Sequence, residues 1–179
     1  YPIRAILDPY NPTGSTEHVR FVTTRTERYD TSGPPPKNHV NWVITDSGWE
    51  MEFCRVAEAN PRVIAYTKNH NLGFDVPYQF QGNTRRYLPD FIVLIDDGRG
   101  PEDPLQLVVE IKGYRGEDAK EKASTMRTYW VPGVNNLRSY GRWAFAELTD
   151  LWGMEEDLAG KIESKLEQAI ASHIEGTQA

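Results

Sequence analysis

The two stretches Tyr87-Leu88-Pro89-Asp90-Phe91-Ile92-Val93-Leu94-Ile95 and Leu105-Gln106-Leu107-Val108-Val109-Glu110-Ile111-Lys112-Gly113 set two carboxylates and a lysine at the tips of two adjacent apolar runs. Short, nearly continuous apolar runs bounded by turn residues are the pattern of strands buried on both faces. Glu110 and Lys112 are two apart, so on a strand they project to one face. Asp90 sits one strand earlier, where a hairpin returns it beside Glu110. A hard divalent cation such as Mg²⁺ favours one or two carboxylates together with waters and phosphate oxygens. The same residues also have an ordinary reading, in which Pro89-Asp90 opens a strand after a turn and Glu110 and Lys112 form an ion pair. Charges at the ends of buried strands need a partner or a purpose.

The chain of 179 residues is long enough for one domain with its own core. Cys54 is the single cysteine, so it makes no internal disulfide and no zinc set; it is expected to pack as a small apolar residue in a helix, as suits a reducing cytoplasm. No run approaches the length of a membrane span and no signal peptide is visible, so a soluble cytoplasmic protein with no membrane partner is expected. A chain opening at Tyr1 is expected to be cut from a longer polypeptide. The net charge of −6 is uneven: from Thr149 onward seven acids face two lysines, −5, which leaves −1 for residues 1–148. Affinity for a polyanion therefore has to come from local patches such as Arg85-Arg86, Lys112 to Arg115 and Lys120 to Arg127.

Three segments follow from pattern. Residues 1–45 form an N-terminal extension whose strands, over His18–Thr26 and Val40–Ile44, join the domain. Residues 46–150 hold the core. Residues 151–179 end in an amphipathic packing helix from Met154 to Ile174, with Leu158, Ile162, Leu166, Ala169 and Ile170 on one side. Within the core, Ser47-Gly48-Trp49-Glu50 opens a helix whose apolar face is Trp49, Phe53, Val56 and Ala57, and Asn60-Pro61 closes it. Glu50, three after Ser47, completes a capping box or reaches a metal, and the two roles are compatible. Strands are expected over Val63–Lys68, Val76–Phe80, the Asp90 run and the Glu110 run as an antiparallel meander. Asp96-Asp97-Gly98 is read as a hairpin turn and not as a metal site. A second helix starts at Gly116 and runs to about Trp130. Arg142–Leu148 is a strand reached by a helical crossover and hence parallel to its neighbour. The core order is taken as αβββαβ, one strand fewer than the four runs between the helices, in an α/β domain with a mixed sheet flanked by helices.

The spacing of Pro89-Asp90 and Glu110-Ile111-Lys112 resembles the PD-(D/E)xK nuclease signature, and the αβββαβ order is that of its restriction-endonuclease-like core. Beyond the motif, Ser47-Gly48-Trp49-Glu50, Lys68 to Phe74, Tyr87 to Val93, Glu110 to Gly113, Tyr129 to Asn136 and Gly141 to Phe145 are similar to the C-terminal endonuclease region of type III restriction enzyme Res subunits and their helicase-nuclease relatives. The resemblance implies a Mg²⁺-dependent DNA endonuclease, with Mn²⁺ as a substitute. Its cutting domain normally lies behind an ATPase motor, and a modification methyltransferase subunit is the usual partner in phage defence by restriction-modification. It implies Asp90, Glu110 and the Ile111 carbonyl as metal ligands, Lys112 as the residue that positions water, and Glu50 as a helper from the first helix. Lys120, Arg115 and Asn135 are weaker candidates for contacts with double-stranded DNA. The chain carries no phosphate loop ending in Gly-Lys-Ser or Gly-Lys-Thr, so any use of ATP belongs to a motor region outside it.

Two other classes stay in view: a silent module of the same lineage that docks a helicase or grips DNA, and a carboxylate-pair glycosidase. The second needs one acid held protonated in a sugar-sized cleft, against which the lysine beside Glu110 works. His39 and His70 lack metal-ligand spacing, and Asn69, His70 and Asn71 are expected to cap the turn before Gly73.

Overall fold

A computed structural model describes residues 4–5, 14–19, 26–33, 35–112 and 116–177. Near the N-terminus β1 (Arg4–Ala5) pairs antiparallel with β2 (Gly14–Ser15), and a 3-10 turn covers Thr16–His18. The strand expected over His18–Thr26 lies for the most part outside the described residues. Strands β3 (Arg28–Asp30) and β4 (Trp42–Ile44) make a two-stranded antiparallel sheet of their own. They pack on the domain through Tyr29 and Val43, and only an isolated parallel bridge, Asn38 to Tyr66, ties the segment between them to the neighbouring β5 (Val63–Lys68). Of the expected N-terminal strands, Val40–Ile44 corresponds to β4, which pairs with β3 and not with the central sheet.

Helix α1 (Gly48–Ala59) begins where the Ser47 hydroxyl accepts the Glu50 N–H at 3.3 Å, and it ends at Asn60 before Pro61. Phe53, Cys54, Val56 and Ala57 are its buried face. Burial pushes the Cys54 thiol up to about 12, so it stays a neutral apolar filler. After β5, strands β6 (Val76–Phe80) and β7 (Asn83–Tyr87) form a separate antiparallel hairpin. Then come β8 (Phe91–Ile95), β9 (Leu105–Ile111), a helical stretch of α2 (Ala119–Thr125), a π turn (Met126–Trp130) and α3 (Val131–Leu137), then β10 (Arg142–Leu148) and α4 (Met154–Thr177).

The central sheet has the order β10-β9-β8-β5, with β10 parallel to β9 and the other pairs antiparallel. It is therefore a mixed sheet, and the crossover through α2 and α3 supplies the parallel pair. Two sequence expectations change. The meander is interrupted, because β6 and β7 leave the sheet as a hairpin, and Pro89 and Asp90 form the step from that hairpin into β8. The second helix does not stop at Trp130 but continues to Leu137, where Arg138 turns left-handed (φ 56°) and closes it. Pro132 follows directly on the π turn of Met126–Trp130, where the regular i to i−4 ladder is already broken and a missing N–H is accommodated.

Side-chain alternation sorts the core into two layers. Phe91, Val93, Leu107, Val109 and Leu148 face α1 and α4, where Phe53 meets Phe91 at a ring separation of 4.4 Å. Ile92, Leu94, Val108, Trp143 and Phe145 face the hairpin and the α2–α3 stretch. Burying each such Leu or Phe stabilises the fold by about 1.5–3 kcal/mol. On α4, Leu158 and Ile162 are buried as expected, while Leu166 is half-buried and the side chains of Ala169 and Ile170 lie outside the described residues. No helix among the described residues is long and apolar enough to cross a membrane.

Candidate metal centre

Phe91 pairs with Val109 across the β8–β9 ladder, so Asp90 stands opposite Glu110 at the rim of the sheet. Parity puts both on the layer of Ile92 and Val108, facing the hairpin. The two carboxylates therefore lie on one face and not on opposite ones. Asp90 Oδ2 accepts the Ile111 N–H at 2.7 Å. Glu110 Oε2 accepts the Tyr87 hydroxyl at 2.6 Å, and its Oε1 lies 3.0 Å from Lys112 Nζ. Lys112, just past the end of β9, keeps its N–H on the Leu148 carbonyl at 2.9 Å, so the backbone there is still held by β10. The side chains of Glu110 and Lys112 are 12% and 8% exposed, so this is a buried pair and not a solvated one. Burial, then the charges of Glu110 and Glu50, raise Asp90 to about 7, against the Ile111 N–H and Lys68, which pull it down. The Tyr87 hydroxyl is pushed far up by burial and by Glu110, so it serves as a neutral donor.

Glu50 reaches the same end of the sheet from α1 but spends its carboxylate otherwise. Its Oε2 accepts the Asp46 N–H at 2.6 Å and Lys68 Nζ at 2.8 Å. The reciprocal half of the expected capping box thus falls on Asp46, one residue before Ser47. Glu50 lies within electrostatic reach of Asp90, since it contributes to the rise there, yet among the described residues no three His, Cys, Asp or Glu side chains group as a metal cage. It braces the rim beside the pair.

Lys68 is the residue that reading the sequence missed. It ends β5 opposite Phe91, its side chain is 12% exposed, and its ammonium bonds the Ile44 carbonyl, Asp46 and Glu50. A lysine closing an apolar run gives the same signal that singled out Glu110. Tyr87 was quoted in the motif but assigned no role; its buried hydroxyl now fixes one oxygen of Glu110.

Other candidates fare differently. Asn135 is not placed for a phosphate: its amide donates to the Trp143 carbonyl and accepts the Trp143 N–H, at 2.9 and 2.8 Å, closing the free edge of β10. Lys120 is exposed on α2, and Arg115 lies outside the described residues. Ile111 donates its N–H to Asp90 Oδ2, which sets its peptide beside the carboxylate. Asp97 is a turn residue, as expected, but with a structural charge role, since Arg142 grips it with two nitrogens at 2.5 and 2.8 Å. Of the basic patches, Arg86 pairs with Asp75, Arg85 covers the Phe80 ring and Lys122 pairs with Asp118. Asn69 ties its loop to the Phe74 carbonyl at 2.7 Å, and His39 meets the Thr16 hydroxyl at 2.6 Å.

Two adjacent carboxylates, Glu110 buried and Asp90 half-buried, with an ammonium on one of them are a donor set short of positive charge on the Asp90 side. Burial first, and then the charge of Glu110, raises the Asp90 carboxyl in that setting. A divalent cation bound by oxygen would relieve the shortage, so the residues fit such an ion. No protein-family model, no curated protein and no solved structure matches this chain.

Proposed function

We propose that this chain is a Mg²⁺-dependent endodeoxyribonuclease domain with the PD-(D/E)xK core, the cutting module of a type III restriction Res subunit or a related ATP-dependent helicase-nuclease. The observation that carries the reading is the meeting of Asp90 and Glu110 on one sheet face with Lys112 on Glu110 at 3.0 Å. In that reading Asp90 and Glu110, with the Ile111 carbonyl, hold the ion. Bound there, Mg²⁺ or Mn²⁺ would supply Lewis acidity toward water and countercharge for the scissile phosphate. Lys112 Nζ, held at Glu110 Oε1, donates to the attacking water and to phosphate oxygen as charge builds there. Tyr87 and the Ile111 N–H fix the orientation of the two carboxylates, which is the support that a metal ligand needs. The helicase motor of the same polypeptide and a methyltransferase subunit are the proposed partners.

Incubation of the chain with supercoiled plasmid in Mg²⁺ or Mn²⁺ should yield nicked and linear DNA. Glu110→Gln should abolish the products, and chelator should stop them. Equal cutting by native and Glu110→Gln protein would sink the proposal.

One observation favours a second reading, a silent docking or DNA-gripping module of the same fold. Both oxygens of Glu110 and one of Asp90 already have partners within the protein. In that case a cation would neither bind at Asp90 nor change the stability of the chain.

A further inference from the structure

The chain carries a net charge of −6, yet one cavity of about 730 Å³ brings together five cations, Arg99, Arg127, Arg138, Arg142 and Lys165, against one acid, Asp97. The cavity lies between α3, the outer side of β10 and α4, with Trp143 and Phe145 in its wall. Two of the cations are neutralised locally: Arg142 by Asp97 and Asp103, and Arg127 by Glu147 at 2.8 Å. Arg99 reaches Asp103 only at 4.0 Å. Arg138, exposed at the left-handed end of α3, has no ion pair among the described residues, and Lys165 meets only the Gln168 amide oxygen, at 3.4 Å. Half-buried Lys165 is depressed by desolvation and then by the charges of Arg127 and Lys161. Arg138 and Lys165 are thus the two cations of the cavity with no ion pair among the described residues, and an incoming anion would supply one.

The cavity also points somewhere. Arg127 sits over the Phe145 ring at 5.4 Å and bonds Glu147, so it spans the wall of β10 toward its C-terminal end. Glu147 is the ladder partner of Glu110, one strand away. The same Arg127 and Glu147 line a second groove with Lys120, Ser124 and Glu117, where two cations face two acids, so the basic character lies at the Arg138 and Lys165 end. Together the two grooves run from Arg138 along the edge of the sheet to the neighbour of Glu110.

We propose that this basic groove, with Arg138 and Lys165 as its principal contacts, binds the phosphate backbone of double-stranded DNA and leads it to the carboxylate rim. It rests on the nuclease reading for the destination and on its own cations for the binding.

The test is binding of a fluorescently labelled duplex to the whole chain at low salt in chelator, followed by anisotropy, so that no cleavage enters. Arg138→Glu with Lys165→Glu should weaken binding roughly tenfold or more and flatten the slope of log affinity against log salt by about 2, for two lost phosphate contacts. Arg55→Glu, on α1 and paired with Glu52, serves as the charge control and should leave binding unchanged. Thermal melting and a Mn²⁺ titration should match native protein in both variants. No measurable binding by native protein, equal losses in the groove and control variants, or displacement of the duplex by polyglutamate at equal charge would each overturn the track. Groove-dependent binding without any metal-dependent cutting would leave the track standing and remove the nuclease reading.

Discussion

Asp90→Asn should make the metal-free protein more stable, by an amount that depends on pH. In the fold the Asp90 carboxyl is raised from 3.8 to about 7, chiefly by burial and then by Glu110. The native state therefore holds the proton more tightly than the unfolded chain. Below about pH 4 both states are protonated and Asp90 costs nothing. Between pH 4 and 7 the unfolded chain loses the proton first, and the cost of keeping a charge at the rim grows until it is complete above pH 7. About three pH units at 1.36 kcal/mol each set an upper value of about 4 kcal/mol. The Asn oxygen still accepts the Ile111 N–H, so little of the gain is lost with the charge-assisted bond. We expect about 2–4 kcal/mol at pH 8, a rise in melting temperature of roughly 6–10 °C for a chain of this size, shrinking to near zero at pH 4. Thermal unfolding followed by circular dichroism at both pH values in chelator measures it. A gain equal at both pH values, or a loss at pH 8, would refute the electrostatic account of the rim.

Removing Lys112 should reveal two effects. Lys112→Gln should lower DNA cleavage by about 10²-fold or more, as for loss of a positioned electrostatic group, and leave Mn²⁺ binding in place; near-native cutting would return the lysine to a purely structural ion pair. The same change strands buried Glu110 and should cost about 2–4 kcal/mol in metal-free urea unfolding, so folding is not left intact as a strand-face pair in water would allow. Arg142 holds the Asp97 carboxyl below its usual range, so this pair contributes fully above about pH 4 and is lost as pH falls through the lower folded value. Asp97→Asn should cost about 2–3 kcal/mol at pH 7 and progressively less below pH 4; a pH-independent difference in urea titrations would contradict that. Ser47→Ala removes the cap of α1 and should cost about 1 kcal/mol in the same assay, whereas no change would show that Glu50 and Asp46 cap the helix without it.

The sheet was legible because two short apolar runs separated by Asp-Asp-Gly have the length and flanking turn residues of buried strands. The crossover length before Arg142 then required a parallel partner, and β9 is that partner. The departure of β6 and β7 was not legible. Val76–Phe80 has the same alternation in a hairpin as in a sheet, and only the pairing tells them apart. The helix past Trp130 was hidden because Pro132 breaks a regular helix, and nothing local announces the π turn that carries the chain through it. At the rim, spacing alone put Asp90, Glu110 and Lys112 together. Lys68 was overlooked because its partners, Ile44, Asp46 and Glu50, lie 18 to 24 residues away in the chain, beyond any local pattern. Asn135 is a candidate only through the resemblance, with no spacing behind it, and the edge of β10 takes its amide instead. Lys165, on a helix that the sequence offers only as packing, belongs to the basic groove.

The central claim is that Asp90 and Glu110 form a site for one divalent cation. Isothermal calorimetry with Mn²⁺ titrated into the native chain tests it without DNA or any partner. The account predicts a single binding event, lost in Asp90→Ala and Glu110→Ala and kept in Lys112→Gln. No binding heat with native protein, or the same heat from Asp90→Ala, would contradict it and leave the rim a buried charge network with no ion to hold.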